Sequence, residues 1–515
     1  MREQERKRRI EEYNRELSRR RLHSRRRRKR PNPFWRFLAV LIALMVVFLL
    51  GFGIWKAVGA FGKAGGLNRI FSGAKTQSDA AAGAGAEEQS GADGDESGAD
   101  ASGQSQSASA EEPGTLEKAK QLASQYDYDG AIRLIQEDTA LSDDAAAKEA
   151  VASYESEKAG LVRQDPTTVT HVFFHSLIVD TKNAFDKTRW GKLSDGYNQV
   201  MTTIPEFERM LDQFYKDGFV LVGLHDLASM ETQADGSVKM TQGNIMLPEG
   251  KKAMVMSQDD VCYYEYMKGS GFADRIEIGP DGKLTTHYVD QDGKESLGDY
   301  DLVPILDRFV EEHPDFSYKG AKACLAFTGY NGILGYRTDE TYDPNSPMYD
   351  KTKTPNYNIE ADRETARKVA QALRDDGYEL ASHSWGHRNL GTISMEHFKK
   401  DTDRWDKNVN QELLGGSCDI ILYPFGADVA DWHPYTHDNE RFQYLFDKGF
   451  RYFCNVDSTQ HWVQIGSDWL RQGRRNLDGE AMWNDIANGK NRLSDLFPDV
   501  SAIFDKDRPT PVPTN

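Results

Sequence analysis

Cysteine is scarce in this chain of 515 residues. The four cysteines are Cys262, Cys324, Cys418 and Cys454, and no two of them form a Cys-x-x-Cys pair, which argues against a structural zinc knuckle. An even number of cysteines leaves disulfides open in an oxidising compartment. Cys262 and Cys454 lie in apolar, strand-like runs, however, where a buried free thiol is the simpler interpretation.

Positively charged residues are concentrated in one short stretch, and in the rest of the chain they are outnumbered by negatively charged residues. Residues 1–30 carry 15 Lys and Arg against 5 Glu, and because the whole chain has a formal charge of −17, the rest of it carries −27. An acidic body repels the phosphate backbone of nucleic acids. We therefore expect no nucleic-acid partner.

Large apolar residues are almost absent from residues 75–113, which consist mainly of Ala, Gly, Ser, Asp, Glu and Gln. Such a segment cannot bury enough surface to offset the conformational entropy that folding removes. Residues 56–113 are therefore predicted to be a disordered linker that tethers the following domain.

Charge is absent from residues 37–55, which are long enough to cross the hydrocarbon core of a bilayer as a helix. Trp35 and Trp55 lie where interfacial aromatic residues occur, and the basic run at 25–30 orients the amino terminus toward the cytoplasm. We predict a basic cytoplasmic tail over 1–36, a single-pass signal anchor in the cell membrane over 37–55, and an extracytoplasmic remainder. A cleaved signal peptide is the alternative, but its apolar core is usually shorter.

Residues 114–163 have apolar positions at the three- and four-residue spacing that is typical of helices. Within them, residues 126–132 (Tyr-Asp-Tyr-Asp-Gly-Ala-Ile) resemble the turn of a tetratricopeptide repeat, although a single repeat cannot form a solenoid. We interpret 114–163 as a small helical spacer that packs on the next domain. Peptide binding is the less favoured alternative.

From residue 168 onward, helical and strand patterns alternate. An amphipathic helix over 203–217 precedes an apolar strand, and further helix-then-strand units continue to Val456. This order predicts a parallel sheet, closed as an α/β barrel over 168–500. Since the polar motifs all follow strands, we expect an active site at the carboxyl-terminal rim of the barrel.

Two short stretches carry candidate chemistry. A buried strand that includes Ala253 to Met256 ends in Asp259 and Asp260, whose side chains should point to different sides. A second strand is followed by His383 and His387. One aspartate and two histidines leave a position for water, as in catalytic metal sites. Each stretch alone is more simply interpreted as a solvated turn or a capping histidine, because His-x-x-x-His also occurs at His171/His175 and His433/His437.

Taken in order, three segments resemble the first three motifs of the polysaccharide deacetylase family, also called the NodB-homology or carbohydrate esterase family 4. They are Ser257-Gln-Asp-Asp-Val261, His383-Ser-Trp-Gly-His387 and Leu422-Tyr-Pro-Phe-Gly426. A fourth, His171-Val-Phe-Phe-His175-Ser, resembles the entry strand of the extracellular branch of that family. The resemblance implies a distorted barrel of seven or eight strands.

The resemblance also implies a hydrolase that removes N-acetyl groups from N-acetylglucosamine residues of a cell-wall glycan such as peptidoglycan, or of an extracellular polysaccharide. A divalent metal, most often Zn²⁺, would be held by Asp260, His383 and His387. Asp259 would be the general base, and the backbone N–H of Phe425 would contact the oxyanion. Tyr423 and Pro424 of the third motif are expected to contact substrate.

This chain departs from the family pattern in its third, fourth and fifth motifs. The family arginine that orients the base falls on Leu422, its acidic partner falls on His461, and no late Leu-x-His motif is visible. We predict that His461 is the general acid. An arginine among Arg471, Arg474 and Arg475 would restore the missing positive charge, and Trp462 and Arg474 would contact substrate.

These departures keep two other functions open. The first alternative is a wall-binding scaffold that kept the barrel and lost activity. The second is an O-acetyl esterase, because the same metal chemistry cleaves esters.

Overall fold

The computed structural model describes residues 114–457 and 460–514, and its centre is a ring of parallel strands. The strands are β1 Val162–Arg163, β2 Thr170–Phe174, β3 Phe219–Leu221, β4 Ala228–Thr232, β5 Val238–Gln242, β6 Met246–Leu247, β7 Lys252–Gln258, β8 Arg275–Ile278, β9 Leu284–Val289, β10 Glu295–Gly298, β11 Ala323–Phe327, β12 Glu379–Ser382, β13 Ile420–Leu422, β14 Tyr452–Val456, β15 Val463–Ile465 and β16 Leu470–Asn476.

The α-helices of the same residues are α1 Thr115–Ser124, α2 Tyr128–Glu137, α3 Ala145–Ala159, α4 Thr181–Ala184, α5 Lys187–Trp190, α6 Lys192–Val200, α7 Ile204–Lys216, α8 Leu224–Leu227, α9 Leu302–Glu312, α10 Ile359–Asp375, α11 Met395–Trp405, α12 Glu440–Asp447, α13 Gly479–Asn488 and α14 Val500–Ile503.

Seven parallel strands close the barrel in the order β11–β12–β13–β14–β16–β2–β7, and β7 pairs back to β11. Strand β3 adds in parallel to the first half of β7, and β15 adds antiparallel to β16. The predicted α/β barrel is therefore confirmed, with seven strands in the closed ring.

Alternation along each strand separates the inside of the barrel from its outside. On β7, Ala253 and Val255 belong to the inner apolar cluster, whereas Met254 and Met256 belong to the outer cluster that the helices cover. The same rule places every second residue of β16 inside. This alternation decides which polar side chains can meet at the centre.

Helix α7 shows how the sequence builds the outer layer. The Thr203 hydroxyl accepts the Glu206 N–H and the Glu206 carboxylate accepts the Thr203 N–H, a reciprocal cap that starts the helix. Phe207, Leu211 and Phe214 then recur on one buried face. The helix was predicted over 203–217, and the later helix-then-strand units also lie where the pattern indicated.

The insert between β7 and β12 contains a three-stranded antiparallel sheet, β8–β9–β10. Its two turns, at 279–283 and 290–294, lie at the Gly-Pro-Asp-Gly and Asp-Gln-Asp-Gly sequences. Helices α1 to α3 pack on the amino-terminal side of the barrel, where the Tyr126 hydroxyl donates to the Asp315 carbonyl at 2.8 Å. All four cysteines are buried and free.

The predicted basic tail, signal anchor and linker, residues 1–113, lie outside the described residues. Among the residues that are described, we find no helix with the length and apolar character that a membrane span requires.

Candidate active site

Asp260, His383 and His387 meet at the carboxyl-terminal rim of the barrel, after β7 and β12. One ligand atom from each residue lies within 4.8 Å of the other two. His383 Nε2 is 3.8 Å from Asp260 Oδ1, and His387 Nε2 is 3.8 Å from Asp260 Oδ2. The structure thus brings together the three predicted metal ligands across more than a hundred positions of sequence.

The surroundings of the two histidines suit metal binding. His383 Nδ1 lies 2.7 Å from the carbonyl of Leu422, which can only accept, so this nitrogen carries the proton and Nε2 is left as a lone-pair donor. Burial lowers the pKa of His387, although Asp260 opposes the shift. A lowered pKa favours the neutral imidazole that a metal requires. The donor set fits a borderline divalent ion such as Zn²⁺.

Asp259 points the other way, into the barrel, and is held by Arg474 of β16. Arg474 Nη1 donates to Asp259 Oδ1 at 2.6 Å and Nη2 donates to Oδ2 at 3.0 Å. Both residues are buried, at 3% and 0% exposure. Burial alone would raise the pKa of Asp259, but the charge and hydrogen bonds of Arg474 outweigh it and hold this pKa well below its usual range.

A buried polar chain supports Arg474 from below. Arg474 Nη1 also lies 3.4 Å from Ser257 Oγ, and Ser257 Oγ lies 2.8 Å from His171 Nε2. His171 Nδ1 lies 3.0 Å from Gln472 Oε1, so this nitrogen is the donor. Burial lowers the pKa of His171 to about 3, which keeps it neutral. His171, which begins the segment that resembles the entry strand, is therefore a structural support for Arg474.

Backbone strain is concentrated at this rim. Asp260, Ser384, His387 and Phe425 all have positive φ, at 59°, 59°, 48° and 59°. Non-glycine residues in this region cost about 1–3 kcal/mol each and persist where surrounding contacts enforce them. One such contact is Asp401, whose carboxylate accepts the N–H groups of Trp385 and Gly386 at 2.8 and 3.0 Å.

The third motif supplies a turn beside the histidines. Gly426 N–H donates to the Tyr423 carbonyl, and the ring of Phe425 is 69% exposed and lies edge-on to the ring of His387, with centroids 4.4 Å apart. Phe425 is thus placed at the mouth of the site. Tyr423 and Pro424, which the motif predicted to contact substrate, are both buried, and Tyr423 bonds Tyr435 through its hydroxyl.

The structure also shows where the two predicted residues of the fourth motif lie. His461 lies beside Thr168 and Lys252, at the amino-terminal ends of the barrel strands and therefore at the end opposite the metal ligands. Trp462 packs under the Arg471 guanidinium, 4.8 Å from its ring, on the outer face of β16. The His461 side chain is therefore far from the three predicted metal ligands. Arg474, predicted to contact substrate, is instead fully buried and paired with Asp259.

Residues 350–442 match the family model described as polysaccharide deacetylase. This segment is a polysaccharide deacetylase sequence. Over this segment the family predicted from the motifs is confirmed, and that family implies a hydrolase of amide or ester bonds that acts on polysaccharide. The match contains the two histidines and the Tyr-Pro-Phe-Gly turn. Asp259 and Asp260 lie outside it and join the deacetylase segment through the fold.

Two solved structures are similar to this chain. One is the Streptococcus pyogenes deacetylase PplD in complex with acetate, with 12% identity, 62% of this chain and 94% of that chain covered, and a TM-score of 0.29. The other is the putative polysaccharide deacetylase BA0330 from Bacillus anthracis, with 10% identity, 62% and 65% coverage, and a TM-score of 0.30. Among curated proteins, none matches the chain.

His175, from the entry strand, is the site residue whose role the sequence left open. Its Nδ1 lies 3.2 Å from the carbonyl of Val200, so Nδ1 is the donor and Nε2 is free of this contact. It is near enough to Asp259 and His387 that its charge lowers the pKa of both. Its position could have indicated a place in the site, because His175 follows β2 directly and β2 is a neighbour of β7 in the barrel.

Proposed function

We propose that this chain is a metal-dependent de-N-acetylase that acts on N-acetylglucosamine residues of cell-wall or extracellular polysaccharide. The observation that carries the proposal is the pairing of two units at one rim: three convergent metal ligands, and next to them a buried carboxylate that a bidentate arginine keeps ionised. A bound metal ion and a general base are the two components that amide hydrolysis at neutral pH requires, and these residues could provide the metal site and the base.

Asp260, His383 and His387 would hold the metal, with Zn²⁺ the ion that their donor atoms fit best. A divalent ion bound there polarises the acetyl carbonyl and makes the attacking water more acidic. The second effect matters in this chain because a carboxylate whose pKa is lowered by an arginine is a weak base. Asp259 can accept a proton only from a water that is already acidified.

The chain's own residues divide the remaining work. Asp259 takes the proton of the water whose oxygen attacks the carbonyl carbon, and Arg474 fixes the plane of its carboxylate. The N–H of Phe425 faces the developing oxyanion. The C–N bond then breaks, His175 delivers a proton to the departing amine, and the products are acetate and a free glucosamine residue. We assign the role of general acid to His175 and not to His461, because His461 lies at the amino-terminal ends of the barrel strands.

The localisation proposal rests on the sequence. We propose that residues 37–55 anchor the chain in the cell membrane, and that residues 56–113 let the barrel reach glycan outside it. Protease accessibility of the barrel on intact cells, set against that of a cytoplasmic marker, tests this orientation; a protected barrel would contradict it.

Acetate release from N-acetylglucosamine oligomers and from peptidoglycan, by the full-length chain supplied with Zn²⁺ or Co²⁺, tests the function. We expect acetate from the wild-type chain, at least about 100-fold less from Asp259→Asn, and no acetate after chelation. His433→Gln is the matched control, because His433 is an exposed loop residue whose side chain contacts its sequence neighbours Asp431 and Trp432.

The alternatives predict different results in the same assay. Stoichiometric metal with no acetate from any glycan would indicate a scaffold. Acetyl esters cleaved far faster than acetyl amides, with the same dependence on Asp259, would indicate an O-acetyl esterase.

A further inference from the structure

Four aromatic rings, each in contact with the next, connect the loop that carries His383 and His387 to the exposed ring of Tyr266. The Trp385 ring lies between His383 and His387 in sequence and meets the Tyr330 ring at 6.3 Å. The Tyr330 ring stacks on that of Tyr264 at 5.1 Å and 21°, and the Tyr264 ring stacks on that of Tyr266 at 5.5 Å and 13°. We call Tyr330, Tyr264 and Tyr266 the tyrosine stack.

The tyrosine stack is fixed to the metal site at its middle ring. The Tyr264 hydroxyl donates to Asp260 Oδ1 and also bonds Thr328 Oγ1 at 3.0 Å. Because Asp260 is a proposed metal ligand, the distance from the stack to the reacting acetyl group is set by a hydrogen bond and not by a flexible loop. The stack therefore occupies a constant position relative to the chemistry.

The outer ring of the tyrosine stack is its most exposed member. Tyr264 is 4% exposed, whereas Tyr266 is 50% exposed. Tyr264 stacks on one face of the Tyr266 ring and so orients it, while half of Tyr266 stays exposed to solvent. An aromatic face carries partial negative charge and attracts the positively polarised C–H groups of a flat ligand.

Taking the proposed function as given, we propose that the tyrosine stack is a sugar-binding platform. A pyranose ring of the glycan, next to the residue being deacetylated, packs its C–H face on Tyr266. This assigns a role to the insert between β7 and β12, which supplies all three tyrosines. It also makes the chain prefer oligomers that are long enough to occupy both the metal site and Tyr266.

Direct binding tests the platform without turnover. The probe is the pentamer of N-acetylglucosamine, titrated into full-length, metal-stripped protein and followed by calorimetry. We expect Tyr266→Ala to weaken binding about fivefold to tenfold, and Tyr266→Trp to retain wild-type binding. Tyr357→Ala is the matched control, since Tyr357 is 82% exposed in the same insert and no ring contact involves it within the described residues. It should bind as the wild type does.

Kinetics supply a second readout. With Zn²⁺ restored, the loss in Tyr266→Ala should appear as a higher KM for the pentamer with kcat within about twofold, and the advantage of pentamer over dimer should shrink. Metal content should stay stoichiometric, which separates lost sugar contact from a damaged site.

The possible failures are distinguishable. Wild-type protein that does not bind the pentamer, or Tyr266→Ala protein that binds it equally well, overturns the platform. Loss of metal in Tyr266→Ala also overturns it, since the residue would then be structural. Pentamer binding that depends on Tyr266 but yields no acetate from the wild type would leave the platform standing and refute the proposed function.

Discussion

Arg474 holds Asp259 from two strands away. Arg474 belongs to β16, and β2 lies between β16 and β7 in the barrel. The guanidinium lies over the ring of Phe173 in β2 and donates two hydrogen bonds to the carboxylate of Asp259, which follows β7. The family arginine position is Leu422, which instead gives its carbonyl to His383. In the proposed mechanism, the cation that orients the base would thus come from a different strand.

Replacing Arg474 tests this relationship. Arg474→Gln leaves a carboxylate buried and unpaired, which we expect to lower the free energy of unfolding by roughly 3–5 kcal/mol. We also expect kcat for acetate release to fall about 100-fold or more. Denaturant unfolding and acetate kinetics measure the two effects.

The neighbouring arginine is the control for Arg474. Arg475 is also buried and paired, to Asp495 at 2.8 and 2.7 Å, but it faces outward. Arg475→Gln should lower stability without a matching loss in kcat. In the double variant Asp259→Asn/Arg474→Met, stability should partly return while activity stays lost. An active double variant would show that Asp259 is not the base.

Removal of a single metal ligand is the second prediction. His387→Ala should reduce Zn²⁺ affinity by at least about 100-fold, because one of only three protein ligands is lost. Elemental analysis after gel filtration measures it. Since the His387 side chain is 25% exposed, the fold should survive, with an unchanged circular dichroism spectrum. Full metal content in this variant would contradict the ligand assignment.

Much of the site could be read from the sequence because strand alternation and barrel topology are strong rules. Asp259 and Asp260 are consecutive residues at the end of an apolar strand, so their side chains point to opposite sides. Parallel strands of a barrel bring their carboxyl ends to one rim. The histidines after β12 had to meet Asp260 if the barrel closed. The fold class and the three predicted ligands follow from that.

The site predictions that the structure does not support lie where contacts between distant parts of the chain decide the position of a side chain. Tyr423 alternates outward from the sheet and is covered by Tyr435, which the sequence motif alone does not reveal. His461 follows β14 in sequence, yet it lies beside Thr168 and Lys252, at the amino-terminal ends of the strands. The inward direction of Arg474 could have been predicted from strand alternation. Leu470 points into the barrel, so Arg474, four residues later on the same strand, also points inward, whereas Arg471 and Arg475 point outward.

A third prediction concerns the general acid. His175→Gln should keep the hydrogen bond to the Val200 carbonyl through its amide, and it should keep stoichiometric metal because His175 is not a ligand. Without a proton donor for the amine, kcat on acetyl amides should fall about 100-fold. Hydrolysis of an acetyl ester of a phenol should fall much less, because that leaving group departs without a proton. Equal losses on both substrates would contradict the assignment.

His225 gives the fourth prediction, which concerns stability. It lies in α8 with Nδ1 2.6 Å from Glu379 Oε1 and Nε2 3.1 Å from Asp419 Oδ1, and so ties α8 to the starts of β12 and β13. Burial alone would lower the pKa of His225, but its hydrogen bonds to Asp419 and Glu379 outweigh burial and raise the pKa to about 10. The imidazolium therefore stabilises the folded barrel.

The pH dependence of that stabilisation follows from linkage. With a folded pKa of about 10 and an unfolded pKa of about 6.5, the contribution is complete below about pH 6.5 and disappears as the pH rises to about 10. Because the side chain is 46% exposed, solvent screens it, and we expect only about 1 kcal/mol at pH 6. Urea unfolding of His225→Gln should show that loss at pH 6 and none near pH 10. His433→Gln, a histidine paired only with Asp431 on an exposed loop, should show no such difference, and a loss in His225→Gln that is the same at both pH values would mean that the charge of His225 does not contribute.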